Sequence, residues 1–270
     1  MDRYVVFGNP VAHSLSPTIH AMFARETGEA MQYDRMLVAH GEFERSARAF
    51  FDAGGCGANV TLPFKLDAYT FADARSPRAQ RAGAANFLMK RADGIFADNT
   101  DGAGLVADLT RNLGVDLQGS QVLIAGAGGA ARGILAPLLE RHPARIVIAN
   151  RTKERADALA HAFADLGVVE ACALEAIESR RFDLVMNATS TSTLGEALQL
   201  PTSAIGPGTL AYDLAYGPPA RAFVERARAA GARASDGLGM LVEQAAEAFA
   251  LWRGKRPTTK GVLEGLRAAA

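Results

Sequence analysis

Lys65 sits where local structure alone has little use for it. The run Asn59-Val-Thr-Leu-Pro-Phe-Lys65 reads as a strand end leading into a helix, with Pro63 in the first helical turn, where proline is favoured. An ammonium there faces the positive end of the helix macrodipole, which opposes it by about 0.3–1 kcal/mol. A lysine so placed either extends into solvent or exchanges a proton with a reacting group. Asp98-Asn-Thr-Asp-Gly102 offers the complementary charge: Asp101 either caps a helix beginning near Ala103 or turns to Lys65 and holds its ammonium. Ser14-Leu-Ser-Pro17 carries two hydroxyls at another helix start, with Ser16 in the form of an N-cap; such a turn serves as a cap, as a site for a small carboxylate, or as both. Gln244 lies close to the apolar face of the last long helical run, where a buried amide must find partners. His13 and His20 flank the serine turn without clustered acidic or sulfur partners, so no metal site is expected.

A second chemistry is written in Val122-Leu-Ile-Ala-Gly126-Ala-Gly128-Gly129-Ala-Ala131. An apolar run, glycines at G-x-G-x-x-A spacing and then Ile134 and Leu135 predict a strand turning sharply into a helix, the dinucleotide-binding turn. Gly126 permits the turn, Gly128 lets backbone amides approach a diphosphate, and Ala131 lets helix and strand pack closely. The next strand, Ile146-Val-Ile-Ala, ends at Asn150-Arg151-Thr152 with no carboxylate to bind a ribose 2′-hydroxyl. Instead Arg151, Lys153 and Arg155 crowd the loop, and guanidinium donors suit a phosphate that a carboxylate would repel. The expected cofactor is NADP(H).

The elements that must hold these residues follow from periodicity. Tyr4 to Phe7, Tyr33 to Val38 and Gly57 to Val60 read as strands, alternating with helices after Ser16-Pro17 and from Glu42 to Asp52, which implies a largely parallel sheet. Phe87 to Lys90 and Ile95 to Ala97 flank Asp93-Gly94, a hairpin signal that makes this sheet mixed. A helix is expected from Gly104 to Leu113. Five more strands, at Val122 to Ala125, Ile146 to Ala149, Val168 to Ala171, Leu184 to Met186 and Leu210 to Tyr212, predict a doubly wound domain. From Met240 to Trp252, Leu241, Ala245, Ala248 and Trp252 recur on one helical face. The 270 residues, 49% hydrophobic, suffice for two domains, bounded near Asp101-Gly102 and near Asp236 to Gly239. Twenty-nine basic and 29 acidic residues balance, which argues against nucleic acid or an anionic membrane as partner. Cys56 and Cys172 read as small core residues, too few for a disulfide framework. No apolar run approaches the roughly 18 residues of a membrane span, so a soluble cytoplasmic protein is expected.

Seven motifs in order resemble the shikimate dehydrogenases: Val6-Phe-Gly-Asn-Pro10 with Ser14-Leu-Ser-Pro17, Gly57-Ala-Asn-Val-Thr61 with Pro63-Phe-Lys65, Asp98-Asn-Thr-Asp-Gly102, Gly126-Ala-Gly-Gly-Ala130, Asn150-Arg-Thr152, Asn187-Ala-Thr-Ser190 and Asp236-Gly-Leu-Gly-Met240. The resemblance implies reversible NADPH-dependent reduction of 3-dehydroshikimate to shikimate, a step of aromatic amino-acid (chorismate) biosynthesis. It also implies a two-domain α/β architecture: a mixed, mostly parallel substrate-binding and catalytic domain over residues 1–101, with residues 240–270 packing back on it, and a Rossmann NADP-binding domain over residues 102–239. Lys65 and Asp101 would form the catalytic pair. Ser14, Ser16 and Tyr216 would hold the substrate carboxylate, and Thr61, Asn86 and Gln244 would contact its hydroxyls. Gly126, Ala127, Gly128, Gly129 and Ala130 would meet the pyrophosphate, Asn150, Arg151, Thr152 and Arg155 the adenosine ribose phosphate, and Met186, Asn187, Thr189 and Gly237 the nicotinamide half. Since an ordinary lysine keeps its proton well into the alkaline range, alcohol oxidation is expected to be faster at alkaline pH. Domain closure about Gly102 and Gly237 is a further expectation, and the chain would be a monomer or homodimer. Two departures stand out: Phe87 follows Asn86 where the family pattern has a threonine, and Thr191-Ser-Thr193 lacks a glycine often found there. The rival readings are a quinate/shikimate dehydrogenase of broader specificity, against which Asn150-Arg151 argues, and a noncatalytic NADPH-binding regulator, which would have no need of Lys65 with Asp101.

Overall fold

A computed structural model describes residues 1–177, 181–189, 191–192 and 198–269; Ser190 and Thr193 of the motifs above lie outside the described residues. The chain divides into two compact units, one formed by Met1–Leu105 with Leu241–Ala270, the other by Val106–Met240.

In the first unit, β1 (Asp2–Gly8), β2 (Met31–Leu37) and β3 (Gly55–Val60) pair in parallel, with β1 between the other two. The β1 run from Tyr4 to Phe7 is buried without alternation because helices cover both faces of the sheet. Phe7 packs under Phe43 and Phe50 of α2 (Phe43–Asp52), and Phe64 and Ala68 extend that core. On the other face, Phe23 of α1 (Ser16–Thr27) meets Phe249 of α9 (Leu238–Arg253), and Tyr4 meets Trp252. β5 (Phe87–Arg91) and β6 (Gly94–Asp98) form the expected antiparallel hairpin, and β5 is also antiparallel to β3, so the sheet is mixed. A two-residue strand, β4 (Ala74–Arg75), completes the order β2-β1-β3-β5-β6-β4. Two helices lead back into this sheet: α3 (Lys65–Phe71), and α4 (Pro77–Ala82), whose cap is the Ser76 hydroxyl, accepting from Ala79 N at 3.0 Å.

In the second unit six parallel strands, β7 (Gln121–Ala125), β8 (Arg145–Asn150), β9 (Val169–Ala173), β10 (Leu184–Asn187), β11 (Leu210–Asp213) and β12 (Arg233–Ser235), lie in the order β12-β11-β10-β7-β8-β9. Read from the other edge, that is the doubly wound order 3-2-1-4-5-6, whose switch point falls between β7 and β10. Val122 to Ala125 are fully buried, with α6 (Gly129–Leu139), α7 (Lys153–Phe163) and α8 (Arg221–Ala229) connecting the strands.

Several local expectations need correction. Pro63 is not in a helical turn; it follows a cis peptide bond from Leu62, and α3 starts at Lys65. Leu15, not Ser16, holds the cap position of α1, and it is the Ser14 Oγ that accepts from Ser16 N, at 3.3 Å. The helix expected from Gly104 starts at Asp101 as α5 (Asp101–Ala107) and widens into a π-helical turn, Asp108–Asn112. That turn is held by the buried Asp108, whose Oδ2 accepts from Tyr212 at 2.7 Å. α9 has no single apolar face: Val242, Ala246 and Phe249 are buried together with Ala245 and Ala248. Cys56 and Cys172 are both partly exposed rather than fully buried, with Cys172 packed against the core of the second unit. The last helix is α10 (Lys260–Ala268), and no helix among the described residues is long and apolar enough to cross a membrane.

Candidate active site

The first helical residue of α3 and the first of α5 meet. Lys65 Nζ donates to Asp101 Oδ2 at 2.6 Å, with the two side chains 17% and 8% exposed, so water screens the pair only partly. Asp101 does not cap its helix with its carboxylate; its own N–H donates to Asn99 Oδ1 at 3.1 Å, and its second carboxylate oxygen accepts from Asn86 Nδ2 at 2.7 Å. Asn86 lies just before β5, and its Oδ1 accepts from Thr100 N at 2.8 Å. Gln244 closes the group. Its Nε2 donates to Leu241 O at 2.9 Å, and its Oε1 receives Asn86 Nδ2 and the Thr100 hydroxyl, each at 3.3 Å. Gly104 makes that approach feasible, since a Cβ there would lie 2.6 Å from Gln244 N. The amide of Gln244 is therefore satisfied by side chains and backbone alike.

Ser14 and Ser16 adjoin each other, the Ser14 hydroxyl donating to Ser16 Oγ at 3.2 Å. Ser16 in turn bonds the Tyr33 phenol, which burial pushes well above its ordinary range and keeps protonated. Tyr33 donates to Asn59 Oδ1 at 2.7 Å, and Asn59 Nδ2 donates to Asn86 O at 3.2 Å. A polar thread thus runs from the serine turn to the residues around Lys65. His20 lies beside it, fully buried and stacked on Tyr33 with ring centroids 4.3 Å apart. Among the described residues neither of its nitrogens makes a well-formed hydrogen bond; burial lowers its pKa to about 3, opposed by the neighbouring Asn59 amide, so the ring is neutral. Thr61 stands apart from this thread. Its N–H donates to Phe7 O at 2.9 Å, and its methyl fills the space that a Cβ on Gly8 would need.

Behind the site, Asp98 at the end of β6 is buried and surrounded by donors. Arg78 gives it Nε at 3.1 Å and Nη2 at 2.6 Å, Asn99 N gives a bond of 2.7 Å, and the Ser76 hydroxyl a further one. Arg78 Nη1 also reaches Glu247 of α9 at 3.0 Å, so one guanidinium ties the strand end that precedes Asp101 to the helix that carries Gln244. Phe87 is fully buried and stacks on Trp252, whose indole N–H donates to Leu88 O at 3.0 Å, so the Phe87 ring packs the strand.

The second unit presents the glycine turn. Gly126 has φ +114° and would place a Cβ 2.7 Å from Ala188 O, so only glycine fits. Gly128 and Gly129 open α6 with no atom within 4 Å of an added Cβ, and Ala127 and Ala130 are half-buried beside them. Free amides at a helix start with open space before them match a diphosphate. At the end of β8, Asn150 Nδ2 holds Thr152 O at 2.8 Å, Lys153 is paired with Asp157 at 2.7 Å, and Arg151 and Arg155 are exposed. Neither arginine has a side-chain partner among the described residues, which fits a phosphate monoester left to be bound. At β10, Met186 is fully buried, whereas Ala188 and Thr189 are half-exposed. Asn187 Oδ1 orders this loop by accepting from the Thr189 hydroxyl at 2.6 Å, and its Nδ2 donates to Asp213 Oδ2 at 2.9 Å. Burial raises the pKa of Asp213, which also accepts from Ser192 Oγ at 2.6 Å and Ala215 N at 2.9 Å. Gly237 packs its backbone on Leu214, where a Cβ would lie 2.4 Å from Leu214 O. Tyr216 belongs to this second unit and is half-buried.

Sequence reasoning missed Tyr33, Thr100, Arg78 and Asp213, and gave Asn59 no role. A polar amide closing an otherwise apolar strand was the available signal for Asn59. Tyr33 and Asp213 sit at ordinary strand positions and offered none.

Three family models match the chain: the shikimate dehydrogenase substrate binding domain over residues 6–88, shikimate / quinate 5-dehydrogenase over residues 108–196, and the shikimate 5′-dehydrogenase C-terminal domain over residues 237–266. A curated relative from Methylococcus capsulatus, shikimate dehydrogenase (NADP(+)), is 55% identical over 99% of this chain and 96% of its own. Among solved structures, an Ael1 enzyme from Pseudomonas putida is 46% identical with a TM-score of 0.92, covering 98% of each chain. The shikimate 5-dehydrogenase of Thermus thermophilus, solved in complex with NADP(H) and shikimate, is 34% identical with a TM-score of 0.87 over 100% of both chains. With family models matching segments of both units and a 55% identical relative matched over 99% of this chain, the chain belongs to the shikimate dehydrogenase family.

Proposed function

We propose that this protein catalyses the reversible reduction of 3-dehydroshikimate to shikimate with NADPH. The observation that carries this reading is the Lys65–Asp101 pair at 2.6 Å, with Asn86 on the other carboxylate oxygen and Gln244 beside it. Ser14 and Ser16 anchor the substrate carboxylate, for which Tyr216 is a further candidate, and Thr61, Asn86 and Gln244 take its hydroxyls. NADPH, held by Gly126 to Ala130, Asn150 to Thr152, Arg155, the Asn187 to Thr189 loop and Gly237, supplies the hydride. Lys65 stabilises the negative charge that develops on the carbonyl oxygen and delivers the proton that completes the alcohol, while Asp101 keeps the ammonium aimed at that oxygen. In the oxidising direction the amine must accept the proton.

The test is a four-way assay of shikimate and quinate with NADP and NAD, repeated for Lys65→Ala and Arg151→Ala. The first substitution is expected to remove turnover and the second mainly to raise the NADP requirement. Full turnover by Lys65→Ala, or faster oxidation of quinate with NAD than of shikimate with NADP, would overturn the reading.

A further inference from the structure

Two serine hydroxyls alone distinguish a carboxylate from a neutral ester poorly, because they donate to either. Discrimination by charge needs a cation that is not already neutralised. Around the site of the first unit, Lys65 is matched by Asp101, Arg78 by Asp98 and Glu247, and His20 is uncharged. Arg35 differs. It lies on β2, the edge strand of its sheet, exposed, and its Nε and Nη2 both donate to the carbonyl oxygen of Ser14, at 3.0 and 2.6 Å. Among the described residues it has no carboxylate partner, and two of its five N–H donors are used. A guanidinium is thus fixed on the backbone of the turn that carries both hydroxyls, with its charge uncompensated. That turn is otherwise held by Ser14 N donating to Val11 O at 3.0 Å, so Arg35 is not needed to close it.

We propose that Arg35 is a specificity-determining residue that makes the Ser14–Ser16 turn select an anionic substrate over its neutral analogue. The inference rests on the reading above in which that turn holds the substrate carboxylate. A partly exposed charge contact of this kind corresponds to about a two- to fivefold change in binding, and it weakens as salt screens it.

The test compares oxidation of shikimate and of its methyl ester by the unaltered enzyme, Arg35→Gln, Arg35→Lys and Ser16→Ala, at low and high ionic strength and at pH 9, where imidazoles are uncharged. Where the ester turns over too slowly, its inhibition constant replaces its KM. Arg35→Gln is expected to raise the KM for shikimate about two- to fivefold, to leave the ester constant and kcat unchanged, and to flatten the salt dependence of kcat/KM. Arg35→Lys, retaining the charge, is expected to keep most of the preference for the acid. Equal losses for acid and ester in Arg35→Gln would reduce the residue to a brace and overturn the proposal, as would no change in either. Ser16→Ala separates the two levels: if it leaves both constants untouched, the turn is not the carboxylate site and the underlying reading fails; if it weakens the acid while Arg35→Gln does not, only the role of Arg35 fails.

Discussion

Asp101 divides its two oxygens between a cation and an amide, and that division explains why a neutral substitute is inadequate. In Asp101→Asn one oxygen must become an NH2 group facing either Lys65 Nζ or Asn86 Nδ2, both of them donors. Asn86 cannot turn its own oxygen to meet it without giving up Thr100 N. The expected result is a fall in kcat of about 10²–10⁴-fold, the usual share of a positioned proton-transfer group, with NADPH affinity from fluorescence titration unchanged. Loss of NADPH binding in that variant would point to a general structural defect instead. Lys65 was legible in the sequence because a cation at a helix start is awkward for local structure, whereas Asp101 read equally well as a helix cap and was paired with Lys65 through the resemblance. Tyr33, Arg78 and Asp213 were not legible, because their side-chain partners are remote in sequence and nothing in their own neighbourhood is out of place.

The elements act as mounts for these groups. β6 ends in Asp98, and Arg78 fastens that end to α9 through Glu247. Arg78→Met leaves a carboxylate buried with only its hydroxyl and amide donors; a loss of about 2–3 kcal/mol in urea unfolding is expected. Since Gln244 rides on the same helix, a higher KM for shikimate should accompany it. In the second unit, Gly126→Ala forces both a left-handed backbone onto alanine and a contact with Ala188 O. Weakening of NADPH binding by about tenfold or more is expected, read by the same titration, whereas shikimate binding to the variant should persist. The longer strands were readable because apolar runs covered by helices on both faces have no other use. β4 and β12, two and three residues long, carry too few side chains for a pattern. Leu62 to Phe64 form a turn and α3 starts only at Lys65, a placement that a proline near an expected helix start does not reveal in sequence.

At the scale of the whole molecule, each unit has its own sheet and core, so unfolding need not be a single event. Two features make the first unit the one to watch in acid. His20, with a folded pKa of about 3, belongs to it, as does Trp252, the one tryptophan of the chain. Below its ordinary value near 6.5 the imidazole binds a proton in the unfolded chain but not in the folded one, so its contribution is whole above about pH 6.5 and is lost as pH falls toward 3. The slope is at most about 1.4 kcal/mol per pH unit. Urea midpoints followed by tryptophan emission should therefore drop between pH 6.5 and 4, and His20→Phe should reduce that dependence; an unchanged slope in the variant would assign the acid sensitivity elsewhere. The doubly wound character of the second unit was foreseeable from alternating strands and helices, although its sixth strand, β12, was not among those expected. The full burial of an uncharged imidazole was not foreseeable, since His20 reads in sequence as one more polar residue beside a serine turn.

The thread from Ser14 to Asn86 is directional. It ends on a backbone carbonyl, which can only accept, so Asn59 must present its NH2 there and its oxygen to Tyr33. Tyr33 then has its proton committed inward, Ser16 points its own at the phenol, and Ser14 points at Ser16. Every hydroxyl proton is thereby addressed toward the interior before any guest arrives. An incoming anion must turn at least the outermost of them around, so occupancy of this turn is recorded as a reversal of proton direction with the heavy atoms in place, a change that neutron diffraction registers and X-ray diffraction at ordinary resolution passes over.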